Sequence, residues 1–517
     1  MNPDSGSVPL GIGPLSAADV IAVARHGATV RLTDDARAEV RRTRAVIDAL
    51  ADDAEPHYGV STGFGALATT HIPADRRAAL QASLIRSHAA GSGPEVEREV
   101  VRALMLLRCS TLATGRTGIR EQTLDGYLAM INAGLTPVVH EYGSLGCSGD
   151  LAPLAHCALA LTGEGLVRDP ADRVRPAAEA LAEAGIVPIA LAEKEGLALI
   201  NGTDGMLGML LLAIDDLRSL ITVSDLTAAM SVEGLLGTDH VFAADLHALR
   251  PQPGQAASAA NLRMIMADSE IRASHQVEDC PRVQDAYSLR CAPQVAGAAR
   301  DTVDHAATVA GWELASAIDN PVITPDDRVE SNGNFHGAPI AYQLDFLAIV
   351  TADLASIAER RTDRFLDRAR SHGLPPFLAD DPGVDSGLMI AQYTQAAIVS
   401  ELKRLATPAS VDSIPSSAMQ EDHVSMGWSA GRKLRRSIDG LRRVLAIELI
   451  TAARGLRLRA PLRPGPATAA AISVLEGAGV AGPGPDRWLS PEIETAVRVI
   501  EDGSLRAAVE SVTGPLR

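Results

Sequence analysis

Residues Gly146–His156 read Gly-Cys-Ser-Gly-Asp-Leu-Ala-Pro-Leu-Ala-His, a serine between small residues that runs directly into a helix-like segment. If the amide nitrogen of Gly149 attacks the carbonyl carbon of Cys147, the backbone closes into a five-membered ring and one water leaves. Loss of the Ser148 hydroxyl as a second water leaves an exocyclic methylidene. Gly149 favours this closure because it has no Cβ and reaches backbone angles that other residues avoid. The stretch therefore predicts a backbone electrophile made from Cys147, Ser148 and Gly149.

The same residues have two simpler interpretations. Ser-Gly-Asp before an apolar run is most often an ordinary helix N-terminus, capped by Ser148 or Asp150. A serine-hydrolase nucleophile elbow requires Gly-x-Ser-x-Gly after a strand, but Asp150 stands where the second glycine is needed. The spacing excludes the elbow, so the rest of the chain has to decide between the cap and the electrophile.

Seven further sequence blocks support the electrophile. They are Tyr58–Gly65, Ser87–Gly91, Asn201–Thr203, Gln284–Arg290, Asp319–Pro321, Gly333–His336 and Gln420–His423. Together with Gly143–Leu154, and in this order, they resemble the aromatic amino-acid ammonia-lyases, whose prosthetic group is methylideneimidazolone (MIO). Most members have alanine where this chain has Cys147, but that side chain stays outside the ring and needs only to be small.

The resemblance implies an all-α, fumarase/aspartase-like fold. In that fold a loop-rich N-terminal part, here residues 1–201, carries MIO, and residues 202–517 form a long-helix bundle with C-terminal helices. The resemblance also implies a homotetramer in which each active site is assembled from three subunits. No metal ion and no external cofactor are expected, because MIO forms from Cys147, Ser148 and Gly149 of the chain itself.

Two positions favour histidine as the substrate. Ser87-His88 stands where members that use phenylalanine or tyrosine tend to have Phe-Leu or His-Leu, and Glu421 stands where the phenylalanine enzymes have an amide. An imidazole needs hydrogen-bonding and charged partners, whereas a phenyl ring needs apolar ones. The expected reaction eliminates ammonium from L-histidine to give trans-urocanate, the first step of histidine degradation. The alternatives are a tyrosine or phenylalanine ammonia-lyase, a 2,3-aminomutase, and a helical scaffold that has lost the chemistry.

The resemblance assigns the proton transfers to two tyrosines. Tyr58 matches the loop tyrosine that removes the β-proton. Because free tyrosine has a pKa of about 10, Tyr58 needs electropositive surroundings to act at neutral pH. Tyr287 matches the tyrosine that handles protons on the amine. Glu421 remains an alternative to Tyr58 as the base.

The other matched residues are expected to bind the substrate. Arg290 lies three residues after Tyr287, so a helix puts both on one face, and it matches a bidentate clamp on the substrate carboxylate. The remaining matches place His88 and Glu421 against the imidazole, Asn201 against the MIO carbonyl or the amino group, Asn320 and Phe335 in the pocket wall, and Gln284 and Gln420 as polar supports. Packing roles remain open for Gln284 and Phe335, and Asn201 could simply open the helix after it. Whether MIO attacks the amine or the imidazole also remains open.

Composition limits the classes of partner. Lys and Arg number 47 against 64 Asp and Glu, and the net charge of −17 argues against nucleic acid and anionic membranes. Five cysteines without a Cys-x-x-Cys pair, no secretory signal and no apolar stretch of membrane-spanning length favour a cytoplasmic protein. Aromatic residues make up only 3%, which favours helices over strands. Helical patterns cover 15–26, 34–51, 75–90, 203–236, 294–316, 340–370 and 427–454, and the first of them opens with a capping-box pattern, Ser16-x-x-Asp19.

Overall fold

The computed structural model describes residues 6–53, 57, 59–62, 72–275 and 283–517. Helices make up 60% of the structure and strands 7%. The prediction of an all-α fold is confirmed. Tyr58 lies outside the described residues, so its role as the β-proton base stays a prediction.

The α-helices follow one another with short connections. In chain order they are α1 Ala17–His26, α2 Asp34–Ala51, α3 Arg77–His88, α4 Arg98–Ala113, α5 Glu121–Asn132, α6 Leu151–Leu161, α7 Ala177–Glu183, α8 Glu195–Ile200, α9 Asp204–Gly234, α10 Ala244–Ala248, α11 Pro253–Ile265, α12 Glu270–Ala273, α13 Tyr287–Arg290, α14 Ala292–Leu314, α15 Ala338–Leu366, α16 Met389–Leu405, α17 Gly427–Arg457, α18 Pro466–Gly477, α19 Ser490–Glu501 and α20 Ser504–Thr513.

The strands are two to four residues long and form small separate sheets. They are β1 Val8–Leu10, β2 Val30–Leu32, β3 Ser92–Glu95, β4 Thr136–Pro137, β5 His140–Tyr142, β6 Leu166–Arg168, β7 Val174–Pro176, β8 Val322–Ile323 and β9 Val329–Glu330. β1 and β2 pair in parallel, with Val8 opposite Val30. The other pairs, β3–β5, β4–β6–β7 and β8–β9, are antiparallel. Strands this short anchor connections rather than build a core.

The sequence predicted the long helices to within a few residues. α2 begins and ends at the predicted residues, and α9, with 31 residues, is about 46 Å long. α1 begins at Ala17 because Ser16 is its cap. The Ser16 hydroxyl accepts from the Asp19 N–H at 3.2 Å, and the Asp19 carboxylate accepts from the Ser16 N–H at 2.9 Å. The predicted capping box is therefore confirmed.

The chain divides into two compact units, each made of segments that are separated in sequence. Unit 1 comprises Met1–Leu212, Ala307–Asp345 and Pro408–Arg432; unit 2 comprises Ala213–Ala306, Phe346–Thr407 and Lys433–Arg517. All nine strands of the described residues belong to unit 1. The sequence analysis instead divided the chain into two consecutive parts, with the boundary after residue 201. That division stays a prediction.

Helix α4 in unit 1 is buried along almost its whole length, including Arg108. A buried guanidinium is tolerated only when its donors are paired. Arg108 Nε donates to the Asp204 carboxylate at 3.0 Å, and Nη1 donates to the carbonyls of Ala198 at 2.9 Å and Asn201 at 3.0 Å. Arg108 therefore ties the turn between α8 and α9, which contains Asn201, to the core of the unit.

Helix α15 passes a simple test for a membrane span. α15 has 29 residues, and its most apolar 18 residues have a mean hydropathy of 1.4. The expectation that no apolar stretch is long enough to span a membrane therefore does not hold for α15. However, 61% of that window is buried inside the protein. Burial of this kind is typical of a core helix in a folded domain.

Candidate active site

Ser148 lies in a turn that tolerates only glycine at the next position. Gly149 has a φ of 75°, and a Cβ there would overlap the carbonyl group of Gly202. The next amide, that of Asp150, donates to the same Gly202 carbonyl oxygen at 2.8 Å. The turn that contains Ser148 is therefore fixed against the turn after Asn201, with Gly149 in a left-handed conformation that disfavours side chains.

The interpretation of this stretch as a helix N-terminus is correct for its position, since Asp150 is the N-cap residue of α6, but not for its side-chain contacts. Neither Ser148 nor Asp150 caps α6 through its side chain. Instead the buried Asp150 carboxylate accepts from the backbone N–H of Met206 at 2.8 Å, in the first turn of α9, and from the Ser144 hydroxyl at 2.9 Å. Burial raises the pKa of Asp150 to about 7, although these hydrogen bonds oppose the rise. Asp150 thus joins the Ser148 turn to the start of α9.

Glu421 is the carboxylate that faces the reactive triplet. The Ser148 hydroxyl donates to Glu421 Oε1 at 3.1 Å, and the Cys147 thiol donates to Oε2 at 3.2 Å. The Ser416 hydroxyl also donates to Oε2, at 2.9 Å. The expectation that the Cys147 side chain needs only to be small therefore missed a contact, because its thiol has a carboxylate partner 274 residues further along the chain.

The pKa values at this contact move in opposite directions. Burial works to raise the pKa of Glu421, but hydrogen bonds from Cys147, Ser416, Ser417 and Ser148 outweigh it and hold the pKa below its ordinary value. Burial, together with the nearby Glu421 charge, raises the pKa of Cys147 to about 12. At neutral pH the thiol is therefore a protonated donor, and Glu421 is an ionised acceptor.

A strained turn, the Glu421 loop (residues 416–421), holds this carboxylate in place. The Ser416 N–H donates to the Glu421 carbonyl at 2.9 Å, and the Glu421 N–H donates back at 3.3 Å. Between them Ser417, Ala418 and Met419 have φ values of 49°, 53° and 71°. Each non-glycine residue in this left-handed region costs about 1–2 kcal/mol. Such strain is often found at functional sites, where the surrounding structure maintains it.

The triplet and the Glu421 loop open onto a cavity of about 450 Å³ within unit 1. Six predicted site residues line it: Cys147, Ser148, Asn320, Phe335, Gln420 and Glu421. It is also lined by Ser331, Asn332, His336, Asp422 and His423, to which the sequence reasoning gave no role. The volume is suited to a small-molecule ligand, and the wall offers both charged and neutral polar groups.

Two of the additional residues form a pair. The imidazole rings of His336 and His423 stack with centroids 5.9 Å apart, and His336 Nε2 lies 3.2 Å from the His423 carbonyl oxygen. Both stand inside matched sequence blocks, directly after Phe335 and Asp422. Their position in those blocks was the available signal, but which wall they line depends on how the loops fold.

Asn201 and Asn320 are held by a buried polar network. The Asn201 side chain donates to the Asn320 carbonyl at 3.0 Å, and Lys194 Nζ donates to the Asp319 carboxylate at 2.5 Å with both side chains fully buried. The Asn320 side chain accepts from the Asn332 N–H at 2.9 Å. Asn201 is not the first residue of α9. It follows Ile200 and is the C-cap residue of α8. This difference arises because α8 and α9 are separate helices joined at this turn.

His88, the last residue of α3, is not among the described residues that line the cavity. Its Nδ1 lies 2.9 Å from the Leu84 carbonyl oxygen, which can only accept a hydrogen bond. Nδ1 therefore carries the proton in neutral His88, and Nε2 is the acceptor. The predicted contact of His88 with the substrate stays a prediction.

Gln284, Tyr287 and Arg290 belong to unit 2. Tyr287 and Arg290 begin and end α13, and the guanidinium lies 4.8 Å from the centre of the Tyr287 ring. The expectation that both lie on one face of a helix is confirmed by this contact. Tyr287 is 72% exposed. Their roles toward the substrate, like that of Gln284, stay predictions.

Comparison with known proteins places these features in a family. The family model for aromatic amino acid lyases matches residues 15–476. The chain belongs to the aromatic amino acid lyase family. It is 64% identical to histidine ammonia-lyase of Streptomyces avermitilis over 510 residues, 99% of each chain. The predominantly helical structure of the chain agrees with this family. The predicted fold class is therefore confirmed.

Solved structures of similar proteins agree with this fold. Histidine ammonia-lyase from Trypanosoma cruzi is 38% identical with a TM-score of 0.90, over 98% of this chain and 95% of that one. Tyrosine aminomutase from Streptomyces globisporus is 35% identical with a TM-score of 0.92, over 99% and 100% of the two chains. Because the fold is nearly the same in both, the fold alone does not distinguish their substrates.

Proposed function

We propose that this chain is a histidine ammonia-lyase that converts L-histidine to trans-urocanate and ammonium. The observation that carries the proposal is its 64% identity, over 99% of both chains, to a protein named for that activity. The cavity supports it, since the ionised Glu421 offers a hydrogen-bond acceptor to an imidazole N–H. A phenyl ring has no group that would satisfy this carboxylate.

We further propose that Cys147, Ser148 and Gly149 cyclise to MIO. The residues fit such a ring, since Gly149 adopts a left-handed turn without room for a Cβ, and the Ser148 hydroxyl faces the cavity. Once formed, the group supplies an electrophile that no ordinary side chain provides. No metal and no external cofactor enter the proposal.

The chain's own residues then bind the substrate and move its protons. Glu421 binds the imidazole together with His88, and Arg290 holds the substrate carboxylate. Tyr58 or Glu421 removes the β-proton, and Tyr287 transfers protons at the amine. Asn201, Asn320, Phe335, Gln420 and Gln284 shape or support the pocket. The pKa of Glu421, which lies below the ordinary value, suits an ionised hydrogen-bond acceptor at neutral pH.

We also propose a cytoplasmic homotetramer with active sites shared among three subunits. Large apolar side chains on unit 1 support assembly, since Trp312 is 66% exposed and Tyr342 is 52% exposed. Exposed aromatic side chains of this size often mark surfaces that another chain covers. Sedimentation of the purified protein tests the assembly directly.

A panel of amino acids tests the substrate. Purified protein is given L-histidine, L-tyrosine and L-phenylalanine in turn, and ammonium and the ultraviolet absorbance of the unsaturated acid are measured. We expect turnover of histidine alone. Comparable turnover of tyrosine would overturn the assignment. Intact mass tests the ring separately, because cyclisation leaves the chain lighter by two waters.

A second candidate is an aminomutase acting on tyrosine. The TM-score of 0.92 with tyrosine aminomutase favours keeping it in the panel. An aminomutase returns the amine to the neighbouring carbon, so it yields a β-amino acid with little free ammonium. Chromatography of the same reactions distinguishes this product from the unsaturated acid.

A further inference from the structure

We infer that the Cys147 thiol and the Ser416 hydroxyl together position Glu421 for the substrate. Both hold Oε2 of Glu421, which leaves Oε1 for the ligand. Cys147 thus becomes a positioning residue in addition to supplying its carbonyl for the ring. This inference rests on the proposed histidine ammonia-lyase activity.

The geometry separates the two oxygens of the carboxylate. Oε2 accepts from the Cys147 thiol at 3.2 Å and from the Ser416 hydroxyl at 2.9 Å. Oε1 accepts from the Ser148 hydroxyl at 3.1 Å. Two donors on one oxygen, from residues far apart in the sequence, restrict rotation of the carboxylate more than either donor alone.

Ring formation removes the donor to Oε1 of Glu421 and neither of the two donors to Oε2. Cyclisation removes the Ser148 hydroxyl as water, and with it the hydrogen bond to Oε1. Neither the Cys147 thiol nor the Ser416 hydroxyl takes part in that loss. The Cys147 and Ser416 donors to Oε2 are therefore kept, and acceptor capacity on Oε1 becomes available to the substrate.

The thiol can fill this role because it stays protonated. Cys147 is 6% exposed, and burial raises its pKa to about 12, so it donates at any working pH. The other titratable groups that line the cavity are His336, Asp422 and His423. None of them is altered when Cys147 or Ser416 is changed, so a difference between variants reports on the contact with Glu421.

The test uses full-length Cys147→Ala and Ser416→Ala proteins, with Cys147→Ser as the variant that keeps a donor. Intact mass is measured first, and each variant is expected to be lighter than its formula by two waters, like the parent. The pH dependence of kcat/KM for L-histidine is measured next, since it reports the pKa values of the free enzyme. Cys157→Ala is the matched control, because it removes another buried thiol, on α6, with no contact to Glu421.

We expect Cys147→Ala and Ser416→Ala each to lower kcat/KM by about three- to tenfold and to move its acidic limb upward by about 0.5 pH unit, since each removes a donor to an ionised group. The acidic limb moves upward because the lost hydrogen bond favours the charged form of Glu421. Cys147→Ser is expected to restore the limb, and Cys157→Ala to leave it in place.

The inference is overturned if the pH profiles of Cys147→Ala and Ser416→Ala superimpose on that of the parent. It is also overturned if Cys147→Ser shifts the limb as far as Cys147→Ala does, because size rather than donation would then be the cause. Failure of the proposed function gives a different result, since the parent itself would not deaminate histidine. Ser416 lies outside the ring, so its variant decides the question even if Cys147→Ala fails to fold.

Discussion

Two carboxylates close to Ser148 behave in opposite ways. Asp150 is fully buried at the start of α9, and burial raises its pKa to about 7. Glu421 lies at the cavity, and its hydrogen-bond donors hold its pKa below the ordinary value in spite of burial. The comparison shows that the balance between burial and hydrogen bonding decides which carboxylate is charged: full burial outweighs the donors at Asp150, whereas the donors outweigh partial burial at Glu421. Asp150 is placed to support the turn, and Glu421 to act on a ligand.

The largest loss of activity is expected at Ser148, which lies between the two carboxylates: its hydroxyl contacts Glu421, and Asp150 is two residues further along the chain. Ser148→Ala removes the hydroxyl that must leave as water, so no methylidene can form, and activity should fall by about 10³-fold or more. Intact mass and circular dichroism check this result. We expect a folded protein that has the full mass of its own formula. A variant that deaminates histidine at the parental rate would contradict the proposed electrophile.

The next largest effect is expected at Glu421. Glu421→Gln keeps the shape of the side chain but removes the charge, and kcat/KM for L-histidine should fall about 100-fold. The measurement is steady-state kinetics, with L-tyrosine as a second substrate. Near-normal histidine kinetics would mean that the charge of Glu421 has no part in the reaction.

Asp150 should instead affect how stability depends on pH. Its folded pKa of about 7 lies above the ordinary value of 3.8, so between these pH values the folded state holds more protons than the unfolded state. Stability should therefore decline as pH rises through this range, by about 1.4 kcal/mol per pH unit at most from this group. Asp150→Asn removes the titration, so its unfolding free energy should decline less between pH 4 and 7.

Urea titrations of parent and Asp150→Asn at several pH values measure this difference. Glu421→Gln serves as the comparison, because Glu421 has a lowered pKa and its contribution to stability is lost only as pH falls. If the two variants show the same dependence on pH, the contrast between the carboxylates is wrong.

The smallest effect is expected from strain in the Glu421 loop. Ala418 has a φ of 53°, whereas the turn at Ser148 places glycine at its left-handed position. Ala418→Gly removes a left-handed Cβ, and the unfolded chain becomes more flexible, so the net gain should be about 0.5 kcal/mol. Thermal unfolding measures it. A clear loss of stability would show that Ala418 makes packing contacts that outweigh the strain.

Sequence reasoning succeeded where the signal was local. The limits of α2 follow from a periodic apolar pattern, and the capping box at Ser16 follows from two residues three apart. Nine of the eleven described residues that line the cavity stand in the matched blocks, and six of these nine are predicted site residues. Blocks of this kind mark residues by order and spacing, which folding does not change.

The reasoning failed where a contact joins distant segments. Nothing near Cys147 indicates that its thiol meets Glu421, and nothing near Asp150 indicates that its carboxylate reaches Met206 instead of capping α6. His336 and His423 were also missed, although both stand inside matched blocks, because which wall of the cavity they line depends on how the loops fold. Local patterns contain no information about which side chains two loops bring together.

Residue order by itself determined the helical class of this chain and the triplet Cys147-Ser148-Gly149, because periodicity, caps and the glycine after Ser148 act over a few residues. It also indicated the family, through a resemblance of sequence blocks in their order and spacing. Only the tertiary structure decided that Cys147 and Ser416 share one oxygen of Glu421, and that Asp150 and Glu421 have opposite pKa shifts. The physical reason is that burial and hydrogen bonding set the charge of a carboxylate, and both depend on neighbours that folding brings together across hundreds of residues.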